Sequence, residues 1–180
     1  MTPKIHANNS SLLHIGRVFI LSACIFTFFS ISVQARSRST ASPLPTILNL
    51  YYEVKNALVN SDAATASKKA GEMLTVINAV DAKTLTSEEQ TVFTPLKDKL
   101  SFDARHISEV KDISHQREHF ADLSLNMFTL AKGVKISAQP VYQDYCPMKK
   151  SYWLSSEQAI KNPYYGSQML TCGSIKTTIQ

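Results

Sequence analysis

Between residues 47 and 132 apolar side chains recur at helical spacing in four successive runs, parted only by short polar breaks. This narrows the fold more than any other feature, because a one-sided stripe at that period has to be covered by a neighbouring element. Ile47, Tyr51, Val54 and Leu58 fall at i, i+4, i+7 and i+11 and predict the first helix. Asn60-Ser61-Asp62 ends it and caps a second, whose buried face is Ala63, Ala66, Ala70, Met73, Leu74 and Ile77. So short a connection makes the two antiparallel. Thr86 or Ser87, with Glu89 or Gln90 three residues on, predicts a capping box for a third helix. Pro95 then either kinks that helix or restarts it as a first-turn proline, and Leu96, Leu100, Ile107 and Val110 carry it to about residue 110. A fourth runs from about Ile113 to Lys132 with Phe120, Leu123, Met127 and Leu130 inward. Lys132-Gly133-Val134 predicts its end: a cation in the last turn, a left-handed glycine and a following apolar contact. The expected fold class is all-α, an up-and-down four-helix bundle.

In front of these runs the chain reads as an address. Residues 1–35 have a basic start, an apolar stretch from Val18 to Val33 and the ending Val33-Gln34-Ala35, so a signal peptide cut before Arg36 is expected. The competing reading is Leu21-Ser22-Ala23-Cys24 as a lipobox, which would leave a lipid-modified Cys24 on a membrane-anchored lipoprotein. Either way the protein is expected to be exported, to the periplasm, with no membrane span in the mature chain. Ser/Pro-rich residues 36–45 read as a flexible leader, and residues 46–180 as one helical domain with a Cys/Met/aromatic tail. With 44% hydrophobic and 18% charged residues the chain has ample apolar content for one core, which excludes wholesale disorder. Its net charge of +5 falls to +3 without the first 35 residues, and no basic stripe interleaves with aromatics, so nucleic acid is excluded as a partner.

After Gly133 the helical period stops. Tyr142, Tyr145, Tyr152, Trp153, Tyr164 and Tyr165 crowd into 24 residues among Pro140, Pro147, Pro163 and Gly166. The expectation is an irregular aromatic-rich C-terminal flap with a short helix at 155–160. Extended pieces at 141–145 and 174–178 are expected to pair in hairpin fashion. Cys146 and Cys172 are the two cysteines of the expected mature chain, and an even count in an oxidising compartment fits a disulfide. Their neighbours offer another reading. Met148 and Met169 place two thioethers beside two thiols within 27 residues, a soft donor set that suits Cu(I). The spacing is not that of a zinc ribbon.

His115-Gln116-Arg117-Glu118-His119 puts two imidazoles on one helix face, either as a metal clamp or as surface histidines paired with acids. It also fits the HxxEH pattern of the inverted zinc proteases. A third ligand would be needed, and among Glu72, Glu88, Glu89 and Glu109 the spacing selects none. His119, Leu123 and Met127 share a stripe, and His106 becomes a neighbour if the third and fourth helices are antiparallel. There is no Gly-rich phosphate loop, no G-x-S-x-G elbow and no Ser-His-Asp order, so an enzymatic role finds no support.

Asp112-Ile113-Ser114-His115-Gln116-Arg117-Glu118-His119-Phe120, then Leu123-Ser124, open a longer pattern. Tyr145-Cys146-Pro147-Met148, Trp153-Leu154-Ser155, Asn162-Pro163-Tyr164-Tyr165-Gly166, Met169 and Cys172-Gly173 complete it. Over roughly residues 48–179 the chain resembles the bacterial domain-of-unknown-function family numbered 3347. The resemblance implies an exported helical protein in a metal-handling context. Some relatives are fused to, or sit beside, the periplasmic adaptors of copper and silver efflux pumps, so such an adaptor or pump is the implied partner. Tyr145-Cys146-Pro147-Met148 is similar to the short metal-binding motif of those adaptors, in which a histidine follows the methionine; here Lys149 follows. Three functions are therefore expected in order. The first is a Cu(I)-type binding protein using Cys146, Met148, Met169 and Cys172, with His115 and His119 as further ligands. The second is a disulfide-stapled interaction module without metal. The third is a zinc hydrolase on HxxEH.

Overall fold

The computed structural model describes residues 42–180. The expected signal peptide, Cys24 and most of the leader lie outside the described residues. Four helices follow one another, α1 (Leu44–Val59), α2 (Ala63–Ala79), α3 (Ser87–Glu109) and α4 (Ile113–Gly133), and three strands close the chain, β1 (Val141–Cys146), β2 (Ser151–Ser155) and β3 (Ser174–Ile179). Helix α1 begins at Leu44, with a proline in its first turn, so it takes over the last two residues of the expected leader.

Local chemistry explains each helix start. Ser61 adopts φ 55° after α1, and the Asp62 carboxylate accepts the Thr65 N–H at 2.9 Å to open α2. Glu89 N–H donates to Thr86 Oγ1 at 3.2 Å while Thr86 N–H donates to Glu89 Oε2 at 2.8 Å, the reciprocal capping box of α3. Asp112 accepts the His115 N–H at 2.8 Å and opens α4. Pro95 lies inside an unbroken α3. Both Pro95 and Thr91, whose carbonyl loses its i+4 donor, are exposed, so water replaces the missing bond.

Gly133 departs from expectation. It remains helical, with no left-handed φ, and α4 ends at an extended Val134. A Cβ at Gly133 would lie 2.7 Å from Val92 Cγ1, so the glycine serves the close approach of α4 to α3 rather than a turn.

The helices pack in chain order, each on the next, and most of each predicted stripe is core: Ile47, Tyr51, Val54, Leu58, Ala66, Ala70, Met73, Ile77, Leu100, Ile107, Phe120, Leu123, Met127 and Leu130 are fully buried, whereas Ala63, Leu74 and Val110 are only partly so. Between α1 and α4 direct contact is sparse, and β2 packs onto α4 there. Tyr51 spans that seam. Its ring stacks on Phe120 at 5.1 Å, and its hydroxyl lies 2.7 Å from Ser124 Oγ and accepts the Leu154 N–H of β2 at 2.9 Å.

The all-α expectation is corrected by the tail, which forms a three-stranded antiparallel sheet of order β2-β1-β3. The two expected extended pieces do pair, Val141 opposite Ile179 and Tyr145 opposite Ser174. The strand between them, β2, was not anticipated, and no helix forms at 155–160, where the chain bends. An irregularity between Gln143 and Asp144 buries both neighbours and breaks the two-residue alternation that would announce a strand. The turn from β1 to β2 passes through Pro147 and closes by Lys150 N–H donating to the Cys146 carbonyl at 2.8 Å.

Candidate functional site

Strand β1 ends at Cys146, and the segment before β3 brings Cys172 back beside it. Gly173 makes this return possible: a Cβ there would meet the Trp153 ring at 2.7 Å, on a backbone with φ 155°. The two sulfurs lie 3.6 Å apart and are not bonded. Asn162, fully buried, secures the loop: its Nδ2 donates to the Cys172 carbonyl at 2.7 Å and its Oδ1 accepts the Tyr164 N–H at 2.8 Å. The Tyr164 hydroxyl in turn donates to the Tyr152 carbonyl.

The two thiols differ. Burial pushes Cys146 up, but donors from the Lys149 N–H (3.4 Å), Asn162, Cys172 and the Met148 N–H outweigh it and its net shift is downward. Cys172 is held above its ordinary value, first by the hydrogen bond to Cys146 and then by burial. The pair is thus polarised, Cys146 being the more acidic thiol and Cys172 the less. Lys149, standing where the adaptor motif has histidine, contributes its backbone N–H.

Met148 and Met169 flank the pair through their backbones, the Met169 carbonyl accepting the Cys172 N–H at 3.0 Å. Their side chains point outward, 62% and 40% exposed. The histidines are elsewhere. Ser114, Arg117 and Glu118 line a hollow with Lys149, Tyr164, Tyr165 and Gln168 on the tail side of α4. His115 and His119 occupy the side facing α3, where His119 Nδ1 lies 3.4 Å from Asp103 Oδ1 and its ring stacks on His106 at 4.5 Å. Glu118 of the HxxEH pattern therefore faces a different groove from its histidines. Glu72 pairs with Lys69 at 3.0 Å and Glu89 is spent in the capping box. Among the described residues no group of three or more His, Cys, Asp or Glu side chains converges as a metal cage.

One buried pair escaped sequence reasoning. Lys55 of α1 and Asp144 of β1 are both buried. Burial pushes Asp144 up to about 7, against the pull of Lys55, and burial lowers Lys55. Neither Asp144 oxygen, nor Trp153 Nε1, nor the Tyr52 hydroxyl has a hydrogen-bond partner among the described residues. The available signal was Lys55 itself, a cation directly after Val54 on the inner stripe of α1.

No curated protein and no solved structure matches this chain. A comparison with protein families matches residues 47–139, the four helices and the segment leading to β1, to the family described as protein of unknown function (DUF3347). The match spans more than half of the sequence, and on that ground the chain belongs to the DUF3347 family.

Proposed function

We propose that the protein binds a soft metal ion, Cu(I) foremost, between Cys146 and Cys172, as an exported accessory to heavy-metal efflux or homeostasis. The supporting observation is the unbonded pair of sulfurs 3.6 Å apart. With metal–sulfur bonds of about 2.3 Å, two thiolates on one ion stand roughly 3.8–4.0 Å apart at tetrahedral to trigonal angles. The pair is within a few tenths of an ångström of that spacing. The more acidic Cys146 thiol gives up its proton the more readily to a soft ion, and the exposed Met148 and Met169 thioethers lie in the segments on either side of the pair as candidate further ligands. Export, and an efflux adaptor or pump as partner, rest on the signal-like N-terminus and the family resemblance.

Competition titration of the native, non-reduced protein with Cu(I) tests the reading. Binding should be lost on Cys146→Ser or Cys172→Ser, weakened by Met148→Leu or Met169→Leu, and unchanged by His115→Ala with His119→Ala. Absence of both free thiol and Cu(I) binding would favour the second reading, an interaction module stapled through the same two sulfurs. A staple closing a loop of this length is worth ~3–4 kcal/mol.

A further inference from the structure

We propose that the α3–α4 groove carries a second metal site, independent of the thiols, in which His115 and His119 clamp one divalent transition-metal ion of the Zn2+ or Cu2+ kind. The two histidines stand one turn apart on α4 with Nε2 atoms 3.2 Å from each other. Two imidazole nitrogens bound at about 2.0–2.1 Å to one ion, at angles between octahedral and tetrahedral, are roughly 2.9–3.4 Å apart. The spacing already suits a shared ion.

His119 is prepared for ligation. Its Nδ1 lies 3.4 Å from Asp103 Oδ1, so the proton sits on Nδ1 and Nε2 keeps its lone pair, the carboxylate–imidazole arrangement that orients ligating histidines. Asp103 is buried and also lies 3.4 Å from Asn126 Nδ2, which fixes the carboxylate from its other oxygen. His115 is exposed, and its Nε2–H donates to His119 in the metal-free protein. To bind, it takes the Nδ1–H form in place, losing one proton from Nε2 and gaining one on Nδ1.

The surroundings favour a cation. His106 stacks on His119, and its Nδ1 donates to the Phe102 carbonyl at 2.9 Å, leaving Nε2 as a lone-pair nitrogen at the edge of the site. Asp98, Asp103 and Asp122 line the adjoining shallow pocket, opposed there by Lys99 alone. Imidazole and water ligands suit Zn2+ and Cu2+, whereas the thiol pair selects soft ions, so the two sites differ in the metal they take.

Zn2+ titrated calorimetrically into the full chain carrying Cys146→Ser and Cys172→Ser should bind one ion per chain. His115→Ala, at an exposed position, should weaken it at least tenfold, and Asp103→Asn, which removes the orienting charge, by about 10–100-fold. Cu2+ at the same site should show nitrogen hyperfine structure that loses one nitrogen in His115→Ala. Should the thiol variant unfold, the histidine ring resonances of the native chain report instead: His115 and His119 shift on adding Zn2+. Binding unaltered by His115→Ala combined with His119→Ala, or unmoved His115 and His119 resonances, overturns the proposal. Failure of Cu(I) binding at the thiols leaves it untouched.

Discussion

Asp144 titrates in the range where cells live. Its folded pKa of about 7 stands above the unfolded value of about 3.9, so the folded state holds the proton more tightly. The associated stability is complete below about pH 4 and is lost as pH rises through 7, at no more than about 1.4 kcal/mol per pH unit. Lys55, held below its ordinary value by burial, acts with the opposite sign on the alkaline side. Urea unfolding of Asp144→Asn, measured from pH 5 to pH 8, should therefore show a flatter pH profile than the parent; an identical slope would place the titration elsewhere. Gly133 offers a second single-residue test. An alanine there gains up to about 1 kcal/mol of helix propensity but drives its Cβ into Val92, and overpacking costs about 1–3 kcal/mol. Gly133→Ala should destabilise on its own, and Val92→Ala in the same chain should restore most of the loss in a double-mutant cycle.

Tyr51 is where three elements meet. Ser124 Oγ donates to the Phe120 carbonyl at 2.7 Å, so the Tyr51 hydroxyl gives its proton to Ser124 and receives the Leu154 N–H. Tyr51→Phe preserves the ring stacked on Phe120 but leaves a buried strand N–H without an acceptor, a loss of about 1–3 kcal/mol. Hydrogen exchange should show the Leu154 amide opening first, while amides in the middle of α2 stay protected. The apolar stripes of the four helices, the Asp62 cap of α2 and the Thr86–Glu89 box of α3 were legible because 3.6-residue periodicity and side-chain caps are local properties. Strand β2 was not, since its own burial runs together over Trp153, Leu154 and Ser155 with no two-residue alternation, and Pro147 in the turn reads as a breaker. Likewise the i, i+4 histidines were visible, but Asp103 joins them only through the pairing of α3 with α4. The closeness of Cys146 and Cys172 depends on the β1–β3 ladder, since the two lie 26 positions apart in the chain.

At the scale of the folded domain, the helices form a bundle whose sparse α1–α4 seam is covered by β2. A fragment ending at residue 139, which is also where the family match ends, should retain helical circular dichroism while binding a hydrophobic dye and melting without cooperativity. A sharp two-state transition in that fragment would show that the helices stand alone. The order of elements along the chain adds a constraint in time. Helices form within microseconds, but β3, which completes the ladder, comes after every other element. At about 5–20 residues per second of synthesis, on the order of 2–9 s separate the completion of α4 from the arrival of Ile179. Within that interval the Tyr51–Phe120 edge stays uncovered only until β2 is made, whereas Cys146 waits for Cys172 and the β1–β3 ladder waits for the last strand.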